Sequence, residues 1–283
     1  MATLAGIFCV THNPMTPRLL NDAANQSPHA LAVRAGFDLT RRRLAAARPD
    51  VLLAVGGDHL NQWSTDNMPA FLVGKAPVAE GPFVWEREVG VPAFRAAVAQ
   101  DVALDLIKGG YDLGVDFAYS DEFRLDHSFV VPLGSLMPER PLPIVPVFCN
   151  AMIPPLPTAR RYHQVGQAIR TVVAGMQRDL RVAVVCTGHL SLEIGGPRGQ
   201  QWHSPAFDAR CVDLIAGGDI ATLVSEMTES HMYDNGNATW GFMNYVLAKG
   251  LAGDRPADYA DQIPADHMEA TPFFIWDAPE VAP

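Results

Sequence analysis

Two histidines stand just past the ends of apolar runs. Ala5-Gly6-Ile7-Phe8-Cys9-Val10 leads into Thr11-His12-Asn13-Pro14, and Val51-Leu52-Leu53-Ala54-Val55 leads into Gly56-Gly57-Asp58-His59. Imidazole is the commonest protein metal ligand and the side chain that titrates nearest neutrality. A pair of them at one edge of a sheet has two uses, holding a metal ion or handling protons in a pocket without one. Asp58 beside His59 fits an orienting role toward an imidazole better than a ligand role. Two further apolar runs end in polar groups. Pro143-Ile144-Val145-Pro146-Val147-Phe148 ends at Cys149-Asn150, and Arg181-Val182-Ala183-Val184-Val185-Cys186 ends at Thr187-Gly188-His189.

Short, nearly unbroken apolar runs of this kind read as strands covered on both faces. A fifth, weaker strand is expected over residues 113–118. Helical spacing runs through residues 92–108, 158–180, 207–227 (interrupted at Gly217-Gly218) and 237–249. Strands alternating with helices predict a single-domain α/β sandwich over residues 1–283, its central sheet mostly parallel or mixed and flanked by helices. In such a sheet, ligands bind beyond the carboxyl ends of the strands, where His12 and His59 are expected. Residues 61–88 carry Trp63, Phe71, Phe83 and Trp85 and read as a long pocket-lining loop, with surface packing as the competing reading. The tail from Ala252 reads as irregular, with Pro272-Phe273-Phe274-Ile275-Trp276 as a late strand or docked tail.

Composition narrows the function classes. The 283 residues are 48% hydrophobic and 18% charged, with a formal net charge of −10. That acidity disfavours nucleic acid and anionic membrane surfaces as partners. No apolar stretch reaches the roughly 18 to 20 residues of a membrane span. The N-terminus reads as a first strand rather than a signal peptide. Cys9, Cys149, Cys186 and Cys211 show no CxxC spacing and are expected to be free buried thiols in a reducing cytoplasm. There is no phosphate loop after Gly56-Gly57 and no Gly-x-Ser-x-Gly elbow. His29, His163, His203, His231 and His267 have polar neighbours and are expected to be exposed.

Five segments, in order, resemble the class III extradiol ring-cleavage dioxygenases of the protocatechuate 4,5-dioxygenase catalytic-subunit type. They are Thr11-His12-Asn13-Pro14; Asp58-His59; Pro69-Ala70-Phe71; Asp126-His127-Ser128-Phe129-Val130-Val131-Pro132-Leu133; and Thr187-Gly188 followed by Gly196-Pro197-Arg198. The resemblance covers nearly the whole chain. It implies non-haem Fe(II) held by two histidines and a glutamate, a substrate with vicinal ring hydroxyls, and O2 as co-substrate. His12 and His59 match the two histidine ligands, and His127 matches the histidine that lines the substrate pocket and bonds the reacting groups, a catalytic candidate beside His189, with anchoring of its own loop as the competing reading. Thr187, Asp58 and Arg198 are expected on the substrate side, with Arg198 pairing a substrate carboxylate or closing a salt bridge within its own loop.

Two positions depart from the pattern. Leu192 stands where the family carries its acid/base histidine, and Gly241 where it carries the ligand glutamate. No carboxylate lies between Asn235 and Lys249. His189 is the nearest substitute proton carrier, against a reading as a turn histidine bonded to backbone. Glu229, His231 and Asp234 are the nearest groups able to reach in from the preceding segment. Three functions follow. The leading one is an oxygen-dependent ring-cleaving oxidoreductase acting on a small hydroxylated aromatic or heteroaromatic acid. The second is a relative doing hydrolysis, decarboxylation or isomerisation in the same pocket. The third is a non-catalytic partner subunit. With no fused small helical subunit before Pro283, a homodimer or a complex with a separate small chain is expected.

Overall fold

The computed structural model describes residues 1–199, 202–217, 219–265 and 269–278. In chain order the first half holds β1 (Thr3–Thr11), α1 (Thr16–Asn21), α2 (Pro28–Ala47), β2 (Val51–Gly56), β3 (Phe71–Gly74), β4 (Val78–Gly81), α3 (Val84–Glu88), β5 (Phe94–Ala97), α4 (Gln100–Asp112), β6 (Ala118–Ser120) and α5 (His127–Leu136). The second half holds β7 (Ile144–Cys149), α6 (Ala159–Gly175), β8 (Arg181–Gly188), α7 (Pro205–Gly217), α8 (Ile220–Glu226), α9 (Glu229–Asp234), a 3-10 turn (Thr239–Phe242), α10 (Met243–Leu251), β9 (Tyr259–Ile263) and β10 (Thr271–Asp277).

Eight strands form one mixed sheet in the order β6-β3-β7-β2-β8-β1-β10-β9. Its centre, β7-β2-β8-β1, is parallel, while β10 runs antiparallel to β1 and β3 antiparallel to β7. The apolar runs are unbroken because both faces are covered. Alternate side chains point to opposite sides. Ile7, Cys9, Leu53, Val55, Val184 and Cys186 join the core under α4, α6, α7 and α10. Phe8, Val10, Leu52, Ala54, Ala183 and Val185 join the core under α2 and α5. Each large apolar side chain buried this way contributes roughly 1.5–3 kcal/mol.

Local signals explain the helix ends. Ser27 accepts from Ala30 N (3.2 Å) with Pro28 in the first turn of α2, and Thr158 caps α6 through Arg161 N; both are side-chain caps of the usual kind. The expected sandwich stands, with corrections. Residues 92–108 do not form one helix: Phe94–Ala97 pairs with β4 as a hairpin, and the helix begins only at Gln100. Residues 61–88 are not one loop, since β3, β4 and α3 lie in them. The strand expected over 113–118 shrinks to β6. The tail supplies two strands, β9 as well as β10. The Gly218 part of the expected helix interruption lies outside the described residues. All four cysteines are buried free thiols. Among the described residues no helix is long and apolar enough to cross a membrane.

Candidate active site

The parallel register brings the carboxyl ends of β2, β8 and β1 side by side, so His59, His189 and His12 emerge from three adjacent strands. The N-terminal turn of α5 adds His127. The four rings form one cluster. Ring centroids lie 5.3 Å apart for His12 and His59, 4.0 Å for His12 and His189, 5.8 Å for His12 and His127, and 3.9 Å for the stacked pair His59 and His127.

Every ring in the cluster has its Nδ1 engaged. His12 Nδ1 sits 3.2 Å from Thr187 Oγ1, whose own proton goes to the Ser128 carbonyl at 2.9 Å. Thr187 therefore accepts from His12. His59 Nδ1 donates to Asp126 Oδ2 at 2.7 Å, His127 Nδ1 to Glu86 Oε1 at 2.6 Å, and His189 Nδ1 to Glu269 Oε2 at 2.5 Å. A neutral imidazole that donates through Nδ1 keeps its lone pair on Nε2. With Nδ1 so engaged, Nε2 is the atom each of the four rings has left for a bound group. His12 Nε2 is buried and has no hydrogen-bond partner. An unpaired buried acceptor costs roughly 1–3 kcal/mol, so this atom is one that a bound group would satisfy.

The carboxylates behind the rings are themselves buried and held. Asp126 accepts from the backbone of His59 (2.9 Å) and from Ser128 N and Oγ (2.9 and 2.6 Å). Burial alone would raise its pKa, but the His59 ring and these hydrogen bonds hold it well below the usual carboxylate range. Glu86 also accepts from the backbone nitrogens of His127 and Phe83, both at 2.8 Å. Glu269 takes a second bond from Thr11 Oγ1 at 3.2 Å. Burial, then repulsion from His189, His59 and His127, pushes His12 well below the ordinary imidazole value, which keeps it neutral and ligand-ready.

The cleft at this cluster is lined by His12, His59, His189, Asp58, Gly241 and Asn244, with Met152 and Ile194 among its apolar walls. Asn244 donates through Nδ2 to the Thr187 carbonyl at 2.7 Å, which leaves its buried Oδ1 unpartnered in the cleft. Wider grooves elsewhere, such as that between α2 and α5 lined by Arg34 and Arg41, contain no histidine.

One ring nitrogen from each of His12, His59 and His127 lies within 4.8 Å of the other two, so the donor set fits a divalent ion. Asp58 does not orient His59; Asp126 does. Asp58 faces the cleft while its Oδ2 accepts from Gln62 N and Trp63 N. Burial, followed by repulsion from Asp126, pushes its carboxyl up to about 6. Arg198 lies off the cleft and closes on its own loop, donating to Glu193 Oε2 (2.8 Å) and to the Asp234 and Tyr233 carbonyls. Leu192 is buried beside Thr239. Glu229, His231 and Asp234 are exposed on α9 and do not line the cleft. His163 is buried and bonded to Asp254, contrary to the expectation of exposure; His29 and His203 are half-buried, and His267 lies outside the described residues.

Glu86, Glu269 and Asn244 escape a reading of the sequence because each joins the site from a distant segment. Asp126 alone carried a signal, as the acidic neighbour of His127 just before a helix.

Comparison with known proteins points to one family. The family model described as the catalytic LigB subunit of aromatic ring-opening dioxygenase matches residues 6–275. A 2,3-dihydroxyphenylpropionate/2,3-dihydroxicinnamic acid 1,2-dioxygenase of Burkholderia vietnamiensis is 32% identical over 312 aligned positions, covering 94% of this chain and 93% of that enzyme. A namesake from Pseudomonas putida is 30% identical over 214 positions, and the chain spans only 63% of that enzyme's length. A gallate dioxygenase of Pseudomonas putida is 32% identical over 123 positions, 42% of this chain and 35% of that enzyme. The solved structure of an uncharacterised Escherichia coli K12 protein shares the fold with a TM-score of 0.62 at 11% identity, covering 96% of this chain and 99% of that one.

Proposed function

Because the chain belongs to the LigB family of aromatic ring-opening dioxygenases, we propose that it cleaves the ring of a small hydroxylated aromatic compound with O2 at a non-haem Fe(II) site. The observation that carries this reading is one cluster of four Nδ1-anchored imidazoles, three of which, His12, His59 and His189, line a cleft. His12 and His59 are the residues assigned to the ion. When bound, such an ion supplies a place where ring oxygens and O2 meet and exchange electrons.

The protein's own part is positioning and proton handling. His189 takes the role left open by Leu192. With Nδ1 fixed on Glu269, its Nε2 is free to accept a proton from a ring hydroxyl and return it later. Glu269 stabilises the imidazolium while it lasts. Asn244 Oδ1 offers an acceptor to a second hydroxyl. Met152, Ile194 and Ala238 exclude water around the ring. Trp85, half exposed, stands beside His127 with ring centroids 6.2 Å apart.

Anaerobic loading with Fe(II), followed by oxygen uptake on 2,3-dihydroxyphenylpropionate, gallate and simple catechols, tests the proposal. Uptake stoichiometric with a ring-opened product supports it. A folded, iron-loaded protein inert on the whole panel rejects it. A second reading, non-oxidative chemistry in the same pocket, is favoured by Leu192 and Gly241 standing where the family carries its proton carrier and its ligand glutamate. Turnover under nitrogen selects that reading. Four free thiols fit a reducing cytoplasm, and light scattering decides between a homodimer and a complex with a small partner chain.

A further inference from the structure

We propose that the ion is held by three imidazoles, His12, His59 and His127, with His127 replacing the carboxylate that Gly241 cannot supply. The inference rests on the metal-dependent reading above and concerns only which side chains complete the ligand set.

Three observations carry it. First, these three rings each offer a nitrogen within 4.8 Å of the other two; among the described residues the one other such group is Glu86, Asp126 and His127. Two nitrogens on one ion at about 2.0–2.1 Å each sit at most about 4.2 Å apart, so small ring rotations close the set. Second, the carboxylates of that other group are already engaged as acceptors behind His59 and His127. A ring tied through Nδ1 to a carboxylate or hydroxyl is the usual arrangement around a metal-bound histidine. Third, His127 is fixed as firmly as the other two. It opens α5, and Glu86 Oε1 takes both its backbone N–H (2.8 Å) and its Nδ1–H (2.6 Å).

The competing donors are placed otherwise. His189 lies outside the three-nitrogen group, and its ring edge rests against Gly241. Asp58 lines the cleft but joins no such group. The negative charge that a glutamate would bring to the ion is moved one ring outward, to Asp126 and Glu86. With three neutral ligands the ion keeps its full charge toward the open side. Such a centre selects an organic ligand that arrives with an anionic oxygen, a catecholate or a carboxylate.

The experiment uses the whole chain loaded with Cu(II) for pulsed electron paramagnetic resonance and with Co(II) for titration calorimetry. The wild-type spectrum is expected to show three coupled imidazoles. His127→Ala is expected to show two and to bind Co(II) at least 100-fold more weakly, beyond the 10–100-fold typical of losing an outer partner. His189→Ala is expected to keep three imidazoles and bind within threefold of wild type. Circular dichroism checks the variants; should His127→Ala not fold, the wild-type spectrum decides. A two-imidazole wild-type spectrum, or wild-type affinity in folded His127→Ala, overturns this inference alone. Wild-type protein that takes up neither ion overturns the metal-dependent reading beneath it.

Discussion

His189 and Gly241 share one volume. A β-carbon on Gly241 would lie 3.1 Å from Cδ2 of His189 and 3.2 Å from its backbone nitrogen. A β-carbon on Gly188 would in turn overlap the Gly241 carbonyl oxygen, so the end of β8 and the 3-10 turn before α10 approach backbone to backbone. The candidate proton carrier His189 and the Gly241 departure are therefore coupled through space. Where the family has a glutamate side chain, this protein has the edge of a histidine ring.

Restoring the glutamate alone should fail. Gly241→Glu is expected to cost about 1–3 kcal/mol through overpacking, and His189→Gly in the same chain should recover most of it. Urea unfolding of the two single variants and the double variant measures the coupling. Strict additivity would show that the two residues do not compete for space.

Proton transfer should depend on the His189–Glu269 pair. His189→Ala is expected to lower kcat by about 10²–10⁴ with little change in metal content. Glu269→Gln keeps the hydrogen bond but removes the charge that stabilises the imidazolium, so its kcat should fall by less. Steady-state kinetics on iron-loaded protein checks both, and an unchanged kcat in His189→Ala would remove it from the chemistry.

Metal removal should lower stability. His12 Nε2 is a buried acceptor without a partner, and an ion that binds only the folded state at 100 times its Kd adds about 2.7 kcal/mol. Dialysis against a chelator is expected to lower Tm, and adding back Co(II) to restore it. A Tm indifferent to both would argue against an ion in this cluster.

Asp208 should make stability fall with rising pH. Burial pushes its carboxyl up to about 6, against which its hydrogen bonds to Ser191 and the nearby His203 act downward. The folded protein holds this proton more tightly than the unfolded chain. The stabilisation is therefore complete below about pH 4 and is lost as pH rises toward 6, by about 3 kcal/mol at most. Asp208→Asn, which keeps the oxygen that accepts from Ser191 N, should flatten that decline in a series of melts from pH 4 to 8. An unchanged slope would place the titration elsewhere.

The sequence by itself determined the sheet centre and the place of the site. Apolar runs ending near His12, His59 and His189 could be read as strands buried on both faces, because they are short, rich in Val and bounded by Gly, Pro or Thr-Gly turn signals. A parallel sheet then puts its strand ends, and the groups on them, at one edge. The five ordered segments named the family, and the losses at Leu192 and Gly241 were visible as plain substitutions. What the tertiary structure decided was which group serves each imidazole. Asp126, Glu86 and Glu269 lie 67, 41 and 80 residues from the rings or backbone they bind, and no local spacing encodes such pairs. They meet only because α3 and α5 close over the strand ends from one side, while the segment just before β10 brings Glu269 to His189. The same distance explains why the crowding of Gly241 by His189 could not be read from two letters 52 positions apart: space is shared only once the chain has folded.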